Sequence, residues 1–252
     1  MTAALRVIGV TKRFGGLTAL DNVTLDIQPA LVTSIIGQNG AGKTTLVNAI
    51  VQTVPPDEGQ VFAGADELTG LRPYAVVSRG VARSFQQLRL FPHLTVLENV
   101  LVGMQGSPGE RIVSLMTSFA ACRSAERGML ERVRAILERL GLSEIAGQDA
   151  GDLSYGLQKI LSLARLLATD AGILILDEPT SGLSNDYVTK VTDAIRSMRA
   201  DGKTIILIEH DMEVVFEFSD FIIVLDQGKL FASGTPRDVR MDQRVRDIYL
   251  GG

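Results

Sequence analysis

The chain has 252 residues, 46 % of them hydrophobic and 21 % charged, with a formal net charge of −4. That is enough apolar material for one large domain or a core with a lobe, and with no lysine- or arginine-rich block the composition argues against nucleic acid as a partner. A single cysteine, Cys122, excludes an intramolecular disulfide and suits a reducing compartment.

The N-terminal stretch MTAALRVIGV lacks a charged segment followed by a long apolar one, so it reads as no signal peptide. Residues 5–28 alternate apolar and polar positions around turn signals at Gly15–Gly16 and Asp21–Asn22, which predicts antiparallel strands. The apolar run Leu31–Ile36 then predicts a buried strand, and Thr44–Val51 a helix. Between them Gly37–Thr45 reads GQNGAGKTT and fits the phosphate-loop pattern G-x-x-x-x-G-K-[ST] at Gly37, Gly42, Lys43 and Thr44. Glycines at 37, 40 and 42 let backbone N–H groups approach phosphate oxygens, so the loop residues Asn39, Ala41 and Thr45 join Gly37, Gly40, Gly42, Lys43 and Thr44 as binding candidates. Lys43 supplies a compact charge for the β- and γ-phosphates, and the Thr44 hydroxyl is a Mg²⁺ ligand. The implied ligand is a nucleoside triphosphate.

Residues 58–64 and the Arg72–Arg83 stretch continue the nucleotide core as a strand and a short helix. Ser84–Gln87 (SFQQ) ends a strand-like run, and on position alone either Gln86 or Gln87 can place a carboxamide near Mg²⁺ and the attacking water. From about Leu97 to Leu142 the character is helical. Met129, Leu130, Val133, Ile136, Leu137 and Leu140 share one face, with Gly141 as a stop. Gly106–Gly109 reads as a loop.

In Leu153–Gln158 (LSYGLQ), Ser154 reads as a helix N-cap and Gly156 as an open backbone N–H. Together they make a second anion-binding helix start, suited to a nucleotide on another subunit. Ile173–Leu176, Thr204–Ile208 and Phe221–Leu225 are short β-branched runs, the pattern of parallel strands buried on both faces. None approaches the roughly 18 apolar residues of a membrane span. The strand ILILDE ends in Asp177, placed to hold Mg²⁺ through water, and Glu178, placed to polarise a water attacking the γ-phosphate. His210 follows another strand, with Glu209 beside it; an imidazole there can hydrogen-bond a γ-phosphate. His93 reads as structural or exposed.

In this order the motifs resemble an ATP-binding-cassette ATPase subunit over nearly the whole chain. GQNGAGKTT is similar to the Walker A loop, LSYGLQ to the signature motif and ILILDE to the Walker B strand. Phe85–Gln86 is similar to the Q-loop, favouring Gln86 over Gln87, and IEHD to the switch-histidine segment. Phe14 matches the aromatic position that stacks on adenine. The resemblance is nearest to ATP-binding subunits of branched-chain amino acid importers and related amide importers, through KRFGGLTALDNV, ARSFQQLRLFPHLTVLENVLVG, LSYG, LIEHDMEVV and the tail from Gly234 to Gly251 with its ending DIYLG. Lipopolysaccharide-export ATPases and non-transport switch ATPases of the superfamily are the alternatives.

The resemblance implies an α/β P-loop NTPase core (1–96 and 152–252) with an antiparallel β subdomain, and an inserted helical subdomain at 97–151. It implies ATP and Mg²⁺ as ligands, with Thr44, Gln86 and Asp177 at the metal and Glu178, His210 and Gln86 at the chemistry. Integral-membrane permease subunits and a second ATPase subunit, identical or related, are the implied partners. The implied location is cytoplasmic, peripheral on the inner face of the cell membrane. Leu88–Phe91 are expected to carry the nucleotide state to the permease, as an exposed apolar patch or, alternatively, as part of the lobe's core. Departures from the family pattern fall at Gln38, Tyr155, Leu157, Ser184 and Asn185.

Overall fold

The computed structural model describes residues 3–84, 88–104 and 119–247, with residues 119–126 described by backbone alone. The chain divides into two compact units: residues 1–83, 171–181 and 192–252 form the first, residues 84–170 and 182–191 the second.

The first unit holds two sheets. In the antiparallel sheet, β1 (Leu5–Phe14) and β2 (Leu17–Ile27) form a hairpin through Gly15–Gly16, and β4 (Glu58–Ala63) and β5 (Asp66–Glu67) extend it in the order β2-β1-β4-β5. Alternation explains the pairing: Leu5 and Val7 are buried while Arg6 and Ile8 face outward. One expectation is corrected here. Asp21–Asn22 is a bulge inside β2 and not a turn. Val10 pairs with Val23 and Lys12 with Leu20, so two β2 residues oppose Thr11 alone, and Asn22 takes φ 52°. The 58–64 strand joins β1 in this antiparallel sheet.

The second sheet contains β3 (Val32–Ile36), β6 (Val81–Arg83), β7 (Ile173–Asp177), β8 (Thr204–Ile208), β9 (Phe221–Asp226) and β10 (Lys229–Gly234). Its order is β10-β9-β3-β8-β7-β6, parallel except for β10 at the edge. Every residue of β3, β7 and β8 is buried, which is why these mostly apolar runs lack polar–apolar alternation; Thr33 and Ser34 of β3 are buried with the rest. Segments 173 residues apart in the chain thus become neighbours, with Val32 opposite Ile205. Helix α1 (Lys43–Ile50) buries Leu46, Val47, Ala49 and Ile50 in the same cluster as Ile35 and Leu225. Helix α2 is Pro73–Ser78.

The second unit is helical. Helix α3 (Val96–Gly103) starts at a capping box in which Thr95 and Glu98 satisfy each other's backbone N–H groups. In α4 (Phe119–Arg139) Val133 and Leu137 are buried, and Met129, Leu130 and Ile136 half-buried, on one stripe; Gly141, at φ 67°, ends the segment. Helix α5 spans Tyr155–Ala168. Helix α6 (Asn185–Ala200) begins in this unit and continues past Val191 in the first. Helices α7 (Met212–Phe218) and α8 (Pro236–Met241) follow, each capped by an aspartate or threonine side chain. Among the described residues no helix is long and apolar enough to cross a membrane.

Candidate functional site

The loop from Gly37 to Gly42 joins the end of β3 to the start of α1. Gly42 is the N-cap of α1 and offers it no side chain, so the amides of the first turn point out of the helix end as an anion-binding set. Only glycine suits this position: φ is 102°, and a Cβ would stand 2.7 Å from the Ala19 carbonyl oxygen. Lys43 is buried, and its Nζ donates to the carbonyls of Gly37 (2.6 Å) and Gln38 (3.0 Å), holding the ammonium at the loop. Burial pushes Lys43 below the ordinary lysine range, while the carboxylates of Glu178 and Asp177 pull it back up.

Those carboxylates stand at the carboxyl end of β7. Asp177 is buried and paired with Arg83 of the neighbouring strand, Nη2 to Oδ2 at 2.5 Å; Arg83 also donates from Nη1 to Asn48 Oδ1 at 2.6 Å. Glu178 takes a left-handed backbone, φ 48°, with its N–H bonded to the Ile208 carbonyl at 2.9 Å. A non-glycine residue there is strained by about 1–2 kcal/mol, and the turn directs its carboxylate to His210, Oε1 to Nε2 at 2.7 Å. The Glu178 side chain is 15 % exposed and that of His210 46 %, so the pair is reached from one side.

Glu209 fixes the loops on which this pair rides. It is buried, accepts from Thr180 N (3.0 Å) and Thr180 Oγ1 (2.5 Å) on one oxygen, and from His210 N (3.2 Å) on the other. Phe14 stands at the end of β1, 48 % exposed, with the Lys12 ammonium 5.6 Å from its ring centre. Gln86 and Gln87 lie outside the described residues, as do Gly106–Gly109 and most of DIYLG.

In the second unit Ser154 is the N-cap of α5, accepting from Leu157 N at 3.5 Å. Gly156 packs its Cα side against a ring. It is buried, and a Cβ there would come within 2.6 Å of the Tyr187 ring, whose hydroxyl is 3.2 Å from Ser154 Oγ. Leu88 and Leu90 are half-buried and Phe91 is 44 % exposed. This segment is held from two directions. The buried Asn99 accepts from Phe91 N and donates to the Phe91, Leu94 and Thr95 carbonyls, each at 3.0 Å. Arg165 of α5 donates to the Arg89 carbonyl and lies 5.2 Å from the Phe91 ring centre. His93 is exposed.

Arg83, Thr180, Tyr187, Asn99 and Arg165 were not among the sequence candidates. Arg83 carried a signal, a cation at the end of an otherwise apolar strand. The pairing of Tyr187 with Ser154 carried none, because 33 residues separate them.

Comparison with known proteins shows the family. The ABC transporter family matches residues 20–181, and the branched-chain amino acid ATP-binding cassette transporter family matches residues 229–252. The chain is 38 % identical to the high-affinity branched-chain amino acid transport ATP-binding protein BraF of Pseudomonas aeruginosa, and 40 % identical to LivG of Escherichia coli, in each case over 98 % of this chain and 97 % of the relative. A crystal structure of a nucleotide-free ATP-binding cassette from an ABC transporter superimposes with a TM-score of 0.84 at 32 % identity, covering 99 % of this chain and 100 % of that one. A dimeric bacterial ABC transporter cassette superimposes at 0.74, with 28 % identity over 92 % of this chain and 99 % of that one. With a family match over residues 20–181 and relatives aligned over 98 % of the chain, this protein belongs to the ABC transporter family as an ATP-hydrolysing subunit.

Proposed function

We propose that the chain powers uptake of branched-chain amino acids, or closely related small solutes, through a membrane permease. The observation that carries the chemistry is the meeting of Glu178 and His210 at 2.7 Å, on the strand edge whose carboxylates act on Lys43. In this reading Lys43 and the amides of Gly37, Asn39, Gly40, Ala41, Gly42, Thr44 and Thr45 bind the phosphates, and Phe14 stacks on adenine. Glu178 orients and deprotonates the water that attacks the γ-phosphate. His210 holds both that carboxylate and a γ-phosphate oxygen.

The Thr44 hydroxyl and the Asp177 carboxylate are hard oxygen donors, and Gln86 supplies a third oxygen. Among the described residues no cluster of three His, Cys, Asp or Glu side chains builds a closed metal cage. An open set of this kind fits Mg²⁺, which keeps waters and takes phosphate oxygens. When bound, Mg²⁺ neutralises charge developing on the β- and γ-phosphate oxygens. Ser154 and Gly156 serve the γ-phosphate of a facing ATPase subunit, identical or related, so that ATP joins the two and hydrolysis releases them. The chain is peripheral, on the cytoplasmic face of the membrane, and touches the permease through the Leu88–Phe91 segment.

The names of the relatives and the family match over residues 229–252 support the cargo class. The test is reconstitution in vesicles of the complex formed with the permease subunits that copurify with the chain. ATP-driven accumulation of leucine, isoleucine or valine, lost in the Glu178→Gln complex, is the expected result. Turnover of ATP without accumulation of any of the three would overturn the cargo assignment.

A further inference from the structure

We infer that Tyr187 is a positioning residue for Ser154, and that its hydroxyl, by donating to the serine oxygen, leaves the serine proton for the γ-phosphate held by a facing subunit. The inference rests on the reading of Ser154 given above.

A serine hydroxyl has one proton and two lone pairs, so by itself it can turn as donor or acceptor. At Ser154 the helix already uses one lone pair, through the Leu157 N–H at 3.5 Å. The Tyr187 hydroxyl stands 3.2 Å from the same oxygen. Either hydroxyl can be the donor of this pair; once the Ser154 proton goes to a phosphate oxygen, Tyr187 is left as the donor and both serine lone pairs are taken. A group in that state suits a phosphate oxygen, which only accepts. Without the phenol, a lone pair of Ser154 is free and its proton can settle elsewhere.

The ring is held as firmly as the hydroxyl. Gly156 is buried beneath it, with no room for a Cβ, which would lie 2.6 Å from the ring. Glycine at this point of LSYGLQ is therefore required by Tyr187 as well as by any anion. The Lys190 ammonium lies 5.3 Å from the ring centre. Tyr187 N–H bonds to the Ser184 carbonyl at 2.9 Å, so the phenol rides on the first turn of α6, directly after the Ser181–Asn185 segment. A shift of Gly182–Ser184 moves Tyr187, and with it the donor state of Ser154.

The test uses the full-length Glu178→Gln protein, alone and mixed with any cassette subunit that copurifies with it. The ATP concentration giving half-maximal dimer is measured by light scattering. Tyr187→Phe keeps the ring on Gly156 and removes only the hydroxyl. It should raise that concentration about 3- to 10-fold, the worth of one hydrogen bond, while the thermal midpoint stays within about 2 °C. In the Ser154→Ala background the same change should add less than about 2-fold, because the partner is gone. An equal effect in both backgrounds, or none where Ser154→Ala alone is strong, would overturn the role of Tyr187 and leave the signature reading standing. If Ser154→Ala has no effect, or no ATP-dependent dimer forms in either arrangement, the facing-nucleotide reading fails and the inference falls with it.

Discussion

Arg83 and Asp177 form a buried ion pair at the ends of two neighbouring parallel strands, with Nη2 and Oδ2 2.5 Å apart. The same guanidinium reaches Asn48 on α1, so one side chain ties the strand edge to the helix that follows the phosphate loop. Arg83→Met removes the cation and leaves the carboxylate buried. We expect a loss of about 3 kcal/mol in urea unfolding. Arg83→Lys should recover part of it, since an ammonium keeps the charge but lacks the fork that serves two acceptors. A Met variant as stable as the parent would show that the pair holds nothing.

Lys43 separates binding from folding. Its pKa is lowered by burial, so the folded chain binds this proton less tightly than the unfolded chain does. The sign follows: below the folded pKa the buried ammonium opposes folding, and that penalty fades as pH rises through the window up to the ordinary lysine value. Lys43→Met should therefore leave the thermal midpoint equal or higher at neutral pH, while turnover falls at least about 100-fold. Substantial turnover in this variant would remove the phosphate-loop assignment.

Glu178→Gln keeps the size and the left-handed turn, and loses the carboxylate facing His210. ATP should bind with little change, and kcat should fall by a factor of about 10² or more. Single-turnover mixing checks the point. Normal turnover would give the water to another group.

Glu209 is the buried acid that joins the loop after β7 to the loop after β8 through Thr180 and His210. In Glu209→Gln the amide NH₂ must face a donor on one side or the other. A loss of about 1–3 kcal/mol is expected, with a fall in kcat larger than any change in KM as His210 loses its backbone anchor. An unchanged kcat in a destabilised protein would confine Glu209 to a folding role.

Phe91 is 44 % exposed, whereas Leu88 and Leu90 are half-buried, so Phe91 is the residue to charge on this segment. Phe91→Asp should leave basal ATPase activity within about 2-fold, with Asn99 still holding the loop backbone. Copurification with the permease and transport in vesicles should both be lost. Full transport by this variant would place the coupling contact elsewhere.

Much of the architecture was legible before the structure because it depends on local chemistry. Mostly apolar runs of four to six residues declared β3, β7, β8 and β9, as burial on both faces demands. The glycines and Lys43 declared the phosphate loop, and Ser154 declared a helix start. Asp21–Asn22 misled because a turn-forming pair also suits a bulge; only the register against β1 separates the two. The tertiary structure alone decided who meets whom across long stretches of chain. Arg83 reaches Asp177, Glu209 reaches Thr180 and Tyr187 reaches Ser154 over 94, 29 and 33 residues. Such pairs leave no periodic trace in a sequence, because their partners are chosen by strand order and by how helices pack, not by neighbours along the chain.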